Sequence, residues 1–339
     1  MSTTAGSVRE YVIKIINGMA LGLFASLIIG LILRQIGDYT GLDVLVRLGS
    51  NAQLMMGPAI GAGVAFGAGA TGLGMFASVV TGAIGAGTVV QTAAGAGVII
   101  GEPVGALVAA WVGAEAAKFI SGRTKLDVIL VPAGTIVLGG AAGVFVGPAV
   151  ATLMTALGSF INLLTGLYPL PMGVLVAVTM GSILTLPISS AALAISLGLE
   201  GLAAGAATVG CSTQMIGFAV ISFRDNGVGG SLSQGIGTSM LQFPNIVRKP
   251  QVWLPVLLAS AVIGPLATVV FRMENSPIGA GMGTSGLVGQ IATLEVMGTA
   301  VLPQVLLLHF FLPAVLTVVF ATLLRRRGLI LAGDLKLDV

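Results

Sequence analysis

The sequence has little charge, one cysteine and one histidine. Its 339 residues include 15 Lys and Arg and 12 Asp and Glu, or 8% charged residues, against roughly 25% in soluble domains. So few charges could not cover a water-exposed surface, which excludes a soluble catalytic domain and a nucleic-acid-binding module. The lone Cys211 excludes an internal disulfide, and the lone His309 excludes a histidine-rich metal site. No nucleophile–base pair is indicated, so we expect neither enzyme activity nor a cofactor.

Apolar residues and glycine dominate the sequence. Hydrophobic residues make up 56% of the chain, and residues 48–101 and 128–199 contain no charge at all. A spanning helix needs about 20 apolar residues. We therefore predict an all-α, multi-pass protein of a bacterial-type inner (cell) membrane. It would form a single transmembrane domain over residues 1–339, with nine to eleven membrane segments.

The 51 glycines are about twice the usual frequency of roughly 7%. In residues 57–74 and 276–290 they come too often for a stable helix, so we expect broken or re-entrant backbone there, with residues 276–290 as the re-entrant candidate. Backbone groups of such segments can face a solute. The alternative is that the glycines let helices pack closely.

A weak internal repeat is indicated. The segment GAEAAKF at 113–119 precedes GTSMLQF at 237–243 by 124 positions, and each is followed by a basic loop and a Pro-containing apolar run. We predict a two-fold repeat with halves at 50–145 and 180–270. Many transporters are built from two such halves, with the solute site between them.

Basic residues cluster in three short loops. They are Arg123 with Lys125, Arg248 with Lys249, and the run 325–327. Cytoplasmic loops of membrane proteins carry an excess of Lys and Arg. We therefore place all three clusters on the cytoplasmic side.

Few acids lie within apolar segments, where an ionisable group is costly and is usually functional. Glu102 precedes Pro103 at the expected start of a helix. Its carboxylate would either cap that helix or face a cavity, where it could bind a sugar hydroxyl or carry a proton. Glu115 lies three residues before Lys118, so the two either form an ion pair or contribute to a site.

Neutral and mixed polar residues supply the remaining candidates for solute binding. Through the repeat, the run Arg224, Asp225 and Asn226 corresponds to the Glu102 region, which indicates either a shared pocket or two solvated loops. Gln91 and Gln214 could bind hydroxyl groups or join helices. His309 would either pack between helices or titrate and couple protons to movement.

The Gly-Ala-rich first half, the tripeptide GEP at 101–103 and the polytopic plan carry a resemblance. The chain resembles the phosphotransferase-system enzyme IIC-like membrane proteins, in particular the perfringolysin O regulator-like branch. In sugar-transporting enzyme IIC proteins a Gly-x-x-Glu-Pro motif places a glutamate at the sugar site. Glu102 and Pro103 match its last two positions, while the preceding residues differ.

The resemblance implies a transporter of a small polar solute such as a sugar, working by alternating access between two repeat halves. It also implies separate phosphocarrier or regulatory subunits as partners, because the chain contains no phosphocarrier domain. Membrane lipids and a second copy of the chain in a dimer are further expected partners, and nucleic acid is not. The alternative function is a membrane-embedded ligand sensor or regulator that does not transport.

Overall fold

The computed structural model describes residues 2–92 and 95–337, with side chains described at 8–90 and 95–337. Helices account for 82% of it, as expected where lipid cannot satisfy backbone groups. Contacts divide the chain into two compact units, unit 1 over Met1–Leu153 and unit 2 over Met154–Asp338. The prediction of a single transmembrane domain stays a prediction.

Unit 1 consists of helices and one hairpin. A π-helical turn, Phe24–Ile28, joins the first two helices into one apolar run. The long last helix continues into unit 2. The elements are α1 (Ser2–Leu23), α2 (Ile29–Thr40), α3 (Asp43–Leu54), α4 (Met56–Ala68), α5 (Gly72–Ala86), β1 (Val89–Thr92), β2 (Gly95–Val98), α6 (Pro103–Ile120) and α7 (Asp127–Thr165).

Helix α4 is the centre of unit 1 and packs against α1, α5 and α6. The prediction of broken backbone over 57–74 is wrong for most of this segment, because α4 is regular up to Ala68. Its glycines are contact points: a Cβ added at Gly63 would overlap the carbonyl oxygen of Gly18, and one at Gly61 would overlap that of Ser78. Close helix approach therefore outweighs the low helix propensity of glycine here.

The hairpin of β1 and β2 departs from the expected all-α fold. Gly87 ends α5 in the left-handed conformation with φ 66°, which only glycine adopts without strain. The β-branched pair Val89 and Val90 then favours an extended strand. Val89 pairs with Val98 and Gln91 with Ala96 in antiparallel register. The side chain of Gln91 lies outside the described part of the chain.

Unit 2 begins within α7 and contains the remaining helices. They are α8 (Pro169–Thr185), α9 (Ser190–Ser196), α10 (Gly201–Ile221), α11 (Phe223–Leu232), α12 (Phe243–Arg248), α13 (Leu254–Pro265), α14 (Pro277–Ala280), α15 (Val288–Met297), α16 (Leu302–Leu306) and α17 (Leu312–Arg326). Short 3-10 turns at Ser239–Gln242 and Pro250–Trp253 and a π-helical turn at Leu307–Phe311 connect some of them.

Helix α10 is the buried centre of unit 2 and contacts α8, α13 and α17. Its small residues permit this, since a Cβ added at Gly210 would overlap the carbonyl oxygen of Ala177. Residues 276–290 are broken into short pieces, because a turn and the 3-10 turn Ser285–Leu287 separate α14 from α15, and Gly283 and Gly286 take left-handed angles. Asn275 ties this segment to the unit, because its Nδ2 donates to Thr208 Oγ1 at 2.7 Å. The re-entrant placement stays a prediction.

The surface of the fold suits a bilayer. In the described part of the chain, six helices are long and apolar enough to cross a membrane, and α4, α5 and α8 are shorter apolar helices. Large apolar side chains are exposed on them, including Phe66 at 75% and Phe145 at 81%. Apolar exposure of this extent marks contact with lipid rather than water. The chain is therefore a multi-pass membrane protein.

The expected number of segments and the internal repeat are not confirmed. The two segments that indicated the repeat differ in local structure. Residues 113–119 lie within the regular helix α6, whereas residues 237–243 include the 3-10 turn Ser239–Gln242. The halves at 50–145 and 180–270 stay a prediction.

Candidate solute-binding site

A group of polar side chains lies inside unit 2 around Gln214, on the buried helix α10. Trp253 Nε1 donates to Gln214 Oε1 at 2.9 Å, and Thr185 Oγ1 donates to the same oxygen at 3.3 Å. The hydroxyls of Thr185 and Ser239 are 2.8 Å apart. Thr185, Gln214 and Ser239 are fully buried. These four residues are called the Gln214 cluster.

The Gln214 cluster has an unused donor. Among the described residues, Gln214 Nε2 has no hydrogen-bond partner. A buried polar atom left unsatisfied costs about 1–3 kcal/mol, so native proteins rarely keep one without a reason. An oxygen atom of a bound solute would satisfy this donor.

A second polar group lies beside the same helix. Gln290 Nε2 is 3.0 Å from His309 Nδ1 and donates to Ser212 Oγ at 3.3 Å. His309 lies in the π-helical turn Leu307–Phe311, a kind of turn that is frequent at functional sites. Within the described residues, Gln290 Oε1 has no partner. Ser212, Gln290 and His309 are called the Gln290 cluster.

The two clusters share helix α10 and a common chemistry. Ser212 and Gln214 are two residues apart on that helix, so their side chains lie on different sides of it. The clusters contain hydroxyls, amides, an imidazole and an indole, with no carboxylate, ammonium or guanidinium group. Amide and hydroxyl groups hydrogen-bond alcohols in both directions, and an aromatic ring offers a flat apolar surface. This combination suits a neutral, hydroxylated solute.

Three of the predicted site residues belong to unit 1. Glu102 occupies the N-cap position of α6, yet its carboxylate does not cap the helix. Its backbone N–H donates to the Ala86 carbonyl at 2.9 Å. Glu115 Oε1 forms an ion pair with Lys118 Nζ at 2.7 Å and accepts a hydrogen bond from the Tyr11 hydroxyl. Of the two alternatives given for Glu115 from the sequence, the structure shows the ion pair with Lys118. Gln91 lies in β1, and its side chain lies outside the described residues.

The run Arg224, Asp225 and Asn226 lies at the start of α11 in unit 2. Arg224 is exposed. Asn226 Nδ2 donates to the Leu335 carbonyl at 2.8 Å, and Asn226 Oδ1 accepts from the Leu337 N–H at 2.8 Å. Both amide atoms of Asn226 therefore form hydrogen bonds with the backbone of the residues that follow α17. A joint site of this run with Glu102 stays a prediction.

Sequence reasoning missed most partners of Gln214. Trp253 is one of two tryptophans in the chain, which was an available signal. Thr185 and Ser239 gave no signal, because single hydroxyl residues are common in membrane helices and usually bond to their own backbone. Gln290 offers no signal in the sequence beyond being a neutral polar residue between apolar stretches.

A cavity of about 170 Å³ lies elsewhere in unit 2, lined among others by Asn162, Thr165 and Glu200. Glu200 is exposed, and we do not place the solute there. No group of three or more His, Cys, Asp and Glu that could hold a metal ion occurs within residues 2–92 and 95–337.

The apolar helices and buried neutral polar clusters define an integral membrane protein of the transporter class. A family model described as "Phosphotransferase system, EIIC" matches residues 13–337. The chain therefore belongs to the phosphotransferase-system EIIC family, whose members are the membrane components of sugar transport and work with other proteins of that system. The resemblance noted in the sequence is confirmed. No curated protein and no solved structure matches the chain.

Proposed function

We propose that this chain moves a small, neutral, polyhydroxylated solute of the sugar class across the membrane. The observation that carries the proposal is the unused amide donor Gln214 Nε2 in the buried, uncharged Gln214 cluster. A sugar hydroxyl can accept a hydrogen bond from this donor and donate one to a neighbouring acceptor. The family of the chain supports the same class of solute.

We further propose that Glu102 contributes to solute binding and that transport proceeds by alternating access in a homodimer. A carboxylate accepts hydrogen bonds from sugar hydroxyls more strongly than a neutral group does. Glu102 is half-buried at the start of α6, and its carboxylate does not cap that helix. The structure describes one copy of the chain.

Separate proteins would supply phosphoryl transfer. The only histidine and the only cysteine in the sequence, His309 and Cys211, are 1% and 0% exposed. A soluble phosphocarrier could not reach a residue with so little exposure. We therefore propose that a phosphohistidine or phosphocysteine resides on a partner subunit.

Uptake into proteoliposomes tests this function. The purified chain is reconstituted and supplied with a panel of labelled hexoses and hexitols, with and without cytoplasmic phosphotransferase proteins. Saturable uptake of at least one member is expected, with loss of uptake in Glu102→Gln and in Gln214→Met. Glu295→Gln, an exposed acid in α15, serves as the control and should transport normally.

Two outcomes would contradict the proposal. Absence of binding and uptake for the whole panel would exclude a sugar-class solute. Saturable binding without uptake, under conditions where a related transporter functions, would instead favour a ligand sensor that signals through a partner.

A further inference from the structure

A short segment after the last helix is packed into unit 2. Residues 329–337, called the strap, follow α17. Ile330 is 1% exposed and Leu335 is fully buried. Both belong to an apolar cluster with Phe218 of α10 and Val256 of α13. Burial of these two large aliphatic side chains removes apolar surface from solvent, so the strap is an integrated part of the unit.

Side-chain amides hold the strap by its backbone. The Leu335 carbonyl accepts from Asn226 Nδ2 at 2.8 Å and from Gln242 Nε2 at 2.9 Å. The Lys336 carbonyl accepts from Asn245 Nδ2 at 2.8 Å. These contacts are made to backbone carbonyls of the strap rather than to its side chains.

An ion pair adds to the amide contacts. Lys249 Nζ is 2.6 Å from Asp334 Oδ2, and the two side chains are 28% and 21% exposed. The same carboxylate oxygen accepts from the Leu331 N–H at 2.6 Å. On the other side, Asp225 Oδ1 accepts from the Gly333 N–H at 3.2 Å. Of the two charged residues of the strap, Asp334 and Lys336, Asp334 is therefore matched by a partner charge, that of Lys249.

Gln242 connects the strap to the Gln214 cluster. It lies in the 3-10 turn Ser239–Gln242, called the 239–242 turn. At one end of this turn, Gln242 binds the strap and also donates to Gln234 Oε1 at 2.8 Å. At the other end, Ser239 Oγ is 2.8 Å from Thr185 Oγ1, which contacts Gln214. One short turn therefore touches both the strap and the proposed solute site.

We infer that the strap is a latch that positions the 239–242 turn, so that its attachment sets the geometry of the Gln214 cluster. Gln242, Asn245 and Asp334 act as positioning residues, because none of them belongs to the Gln214 cluster itself. When the strap detaches, Gln242 loses its bond to the Leu335 carbonyl and the turn can shift. Ser239 then leaves Thr185, and the Trp253–Gln214 contact changes. The effect on the solute rests on the proposed function, whereas the coupling to Trp253 does not.

The fluorescence of Trp253 reports the coupling between the strap and the Gln214 cluster, and it needs no solute. Replacing the other tryptophan by Trp111→Phe leaves Trp253 as the single tryptophan, so that tryptophan emission reports on this residue alone. In this background Asp334→Lys places two cations together and should detach the strap. The expected results are a shifted emission maximum, increased acrylamide quenching of Trp253 and faster amide hydrogen exchange in residues 238–242.

Charge reversal separates a specific latch from general destabilisation. Lys249→Asp alone should reproduce the Asp334→Lys effect, and the double variant Lys249→Asp/Asp334→Lys should restore both fluorescence and exchange. Asp38→Lys makes the same change in the exposed Arg34–Asp38 pair and should leave Trp253 unchanged. If the transport proposal holds, Asp334→Lys should also weaken hexose binding by about fivefold, since a lost hydrogen bond is worth about 1 kcal/mol.

Trp253 emission and hydrogen exchange test the latch without any measurement of transport. If Trp253 emission and the exchange of residues 238–242 stay unchanged while protease cleaves the strap faster, the latch is refuted. If the double variant folds but fails to restore the signal, the ion pair is not what holds the latch. If Trp253 responds as expected but no hexose binds, the latch stands and the proposed solute is wrong.

Discussion

Replacing Gln214 by methionine is the sharpest test of the solute site. Methionine keeps the length and volume of the side chain but removes both amide atoms. In the empty protein, Trp253 Nε1 and Thr185 Oγ1 lose their shared acceptor, at 2.9 and 3.3 Å respectively. Thr185 retains Ser239 Oγ at 2.8 Å and the Gly181 carbonyl at 3.1 Å.

The opposing effects on stability nearly cancel. Loss of the Trp253 hydrogen bond costs about 0.5–1.5 kcal/mol, with a smaller contribution from the longer Thr185 bond. Removing the unsatisfied Nε2 recovers about 1–3 kcal/mol. We therefore expect the free energy of unfolding of Gln214→Met to lie within about 1 kcal/mol of the wild type. Solute binding has no such compensation, so its Kd should rise about tenfold or more, because 1.4 kcal/mol corresponds to a factor of ten.

Gln234→Met is the matched control. The amide of Gln234 is fully used, since its Nε2 donates to Ser222 Oγ and to the Gly230 carbonyl, each at 2.9 Å, and its Oε1 accepts from Gln242 at 2.8 Å. The same substitution should therefore cost about 2–4 kcal/mol of stability. The assays are thermal unfolding in detergent micelles and equilibrium binding of labelled hexoses. Equal destabilisation by the two variants, or unchanged hexose affinity in Gln214→Met, would refute the reasoning.

Four further predictions concern packing, the buried polar network and charge. Gly210→Ala should destabilise by about 1–3 kcal/mol, because its Cβ overlaps the Ala177 carbonyl; Gly147→Ala, which has open space, should not. Asn275→Ala should lower the thermal stability by about 2–4 kcal/mol, since Thr208 Oγ1, Thr293 Oγ1 and the Gly289 carbonyl lose a shared donor. Glu115→Gln should change stability by less than about 1 kcal/mol in the same unfolding assay, because its ion pair with Lys118 is partly exposed. For Asp334, burial acts to raise the pKa, but the hydrogen bonds from Lys249 and Leu331 and the charge of Lys249 outweigh it and lower the pKa below its usual value. The stabilisation by Asp334 is therefore complete above the usual carboxyl pKa of about 3.9 and is lost as the pH falls through the lowered value. Protease resistance of the strap should stay constant from about pH 8 to about pH 5 and fall only in stronger acid, and Asp334→Asn should abolish that dependence.

The apolar composition indicated membrane-spanning helices correctly. The helical runs at 103–120, 201–221 and 250–270 are long and apolar enough to cross a membrane. These elements follow from local composition, because a long apolar run must satisfy its own backbone hydrogen bonds in lipid. The Gly-Ala-rich first half, the GEP tripeptide and the polytopic plan together indicated the family.

The backbone conformation of glycine-rich segments was harder to predict from the sequence. Glycine allows helices to pack closely, and it also allows a backbone that is not helical. In α4 it allows close packing and the helix persists, whereas in residues 276–290 it accompanies irregular backbone with left-handed angles. The difference depends on the neighbours. Gly63 lies against Gly18 of another helix, which stabilises a regular backbone. Composition alone does not contain that information.

The sequence by itself determined that this is a multi-pass helical membrane protein of the EIIC family, because hydropathy and short motifs are local properties. Only the tertiary structure decided which polar groups meet. Gln214 and Trp253 are 39 positions apart, and Asn226 and Leu335 are 109 apart. Neutral amides and hydroxyls carry no charge pattern that would reveal such partners in advance. Their pairing follows from how apolar helices pack around α10, and that packing brings the strap and the proposed solute site to the two ends of one turn.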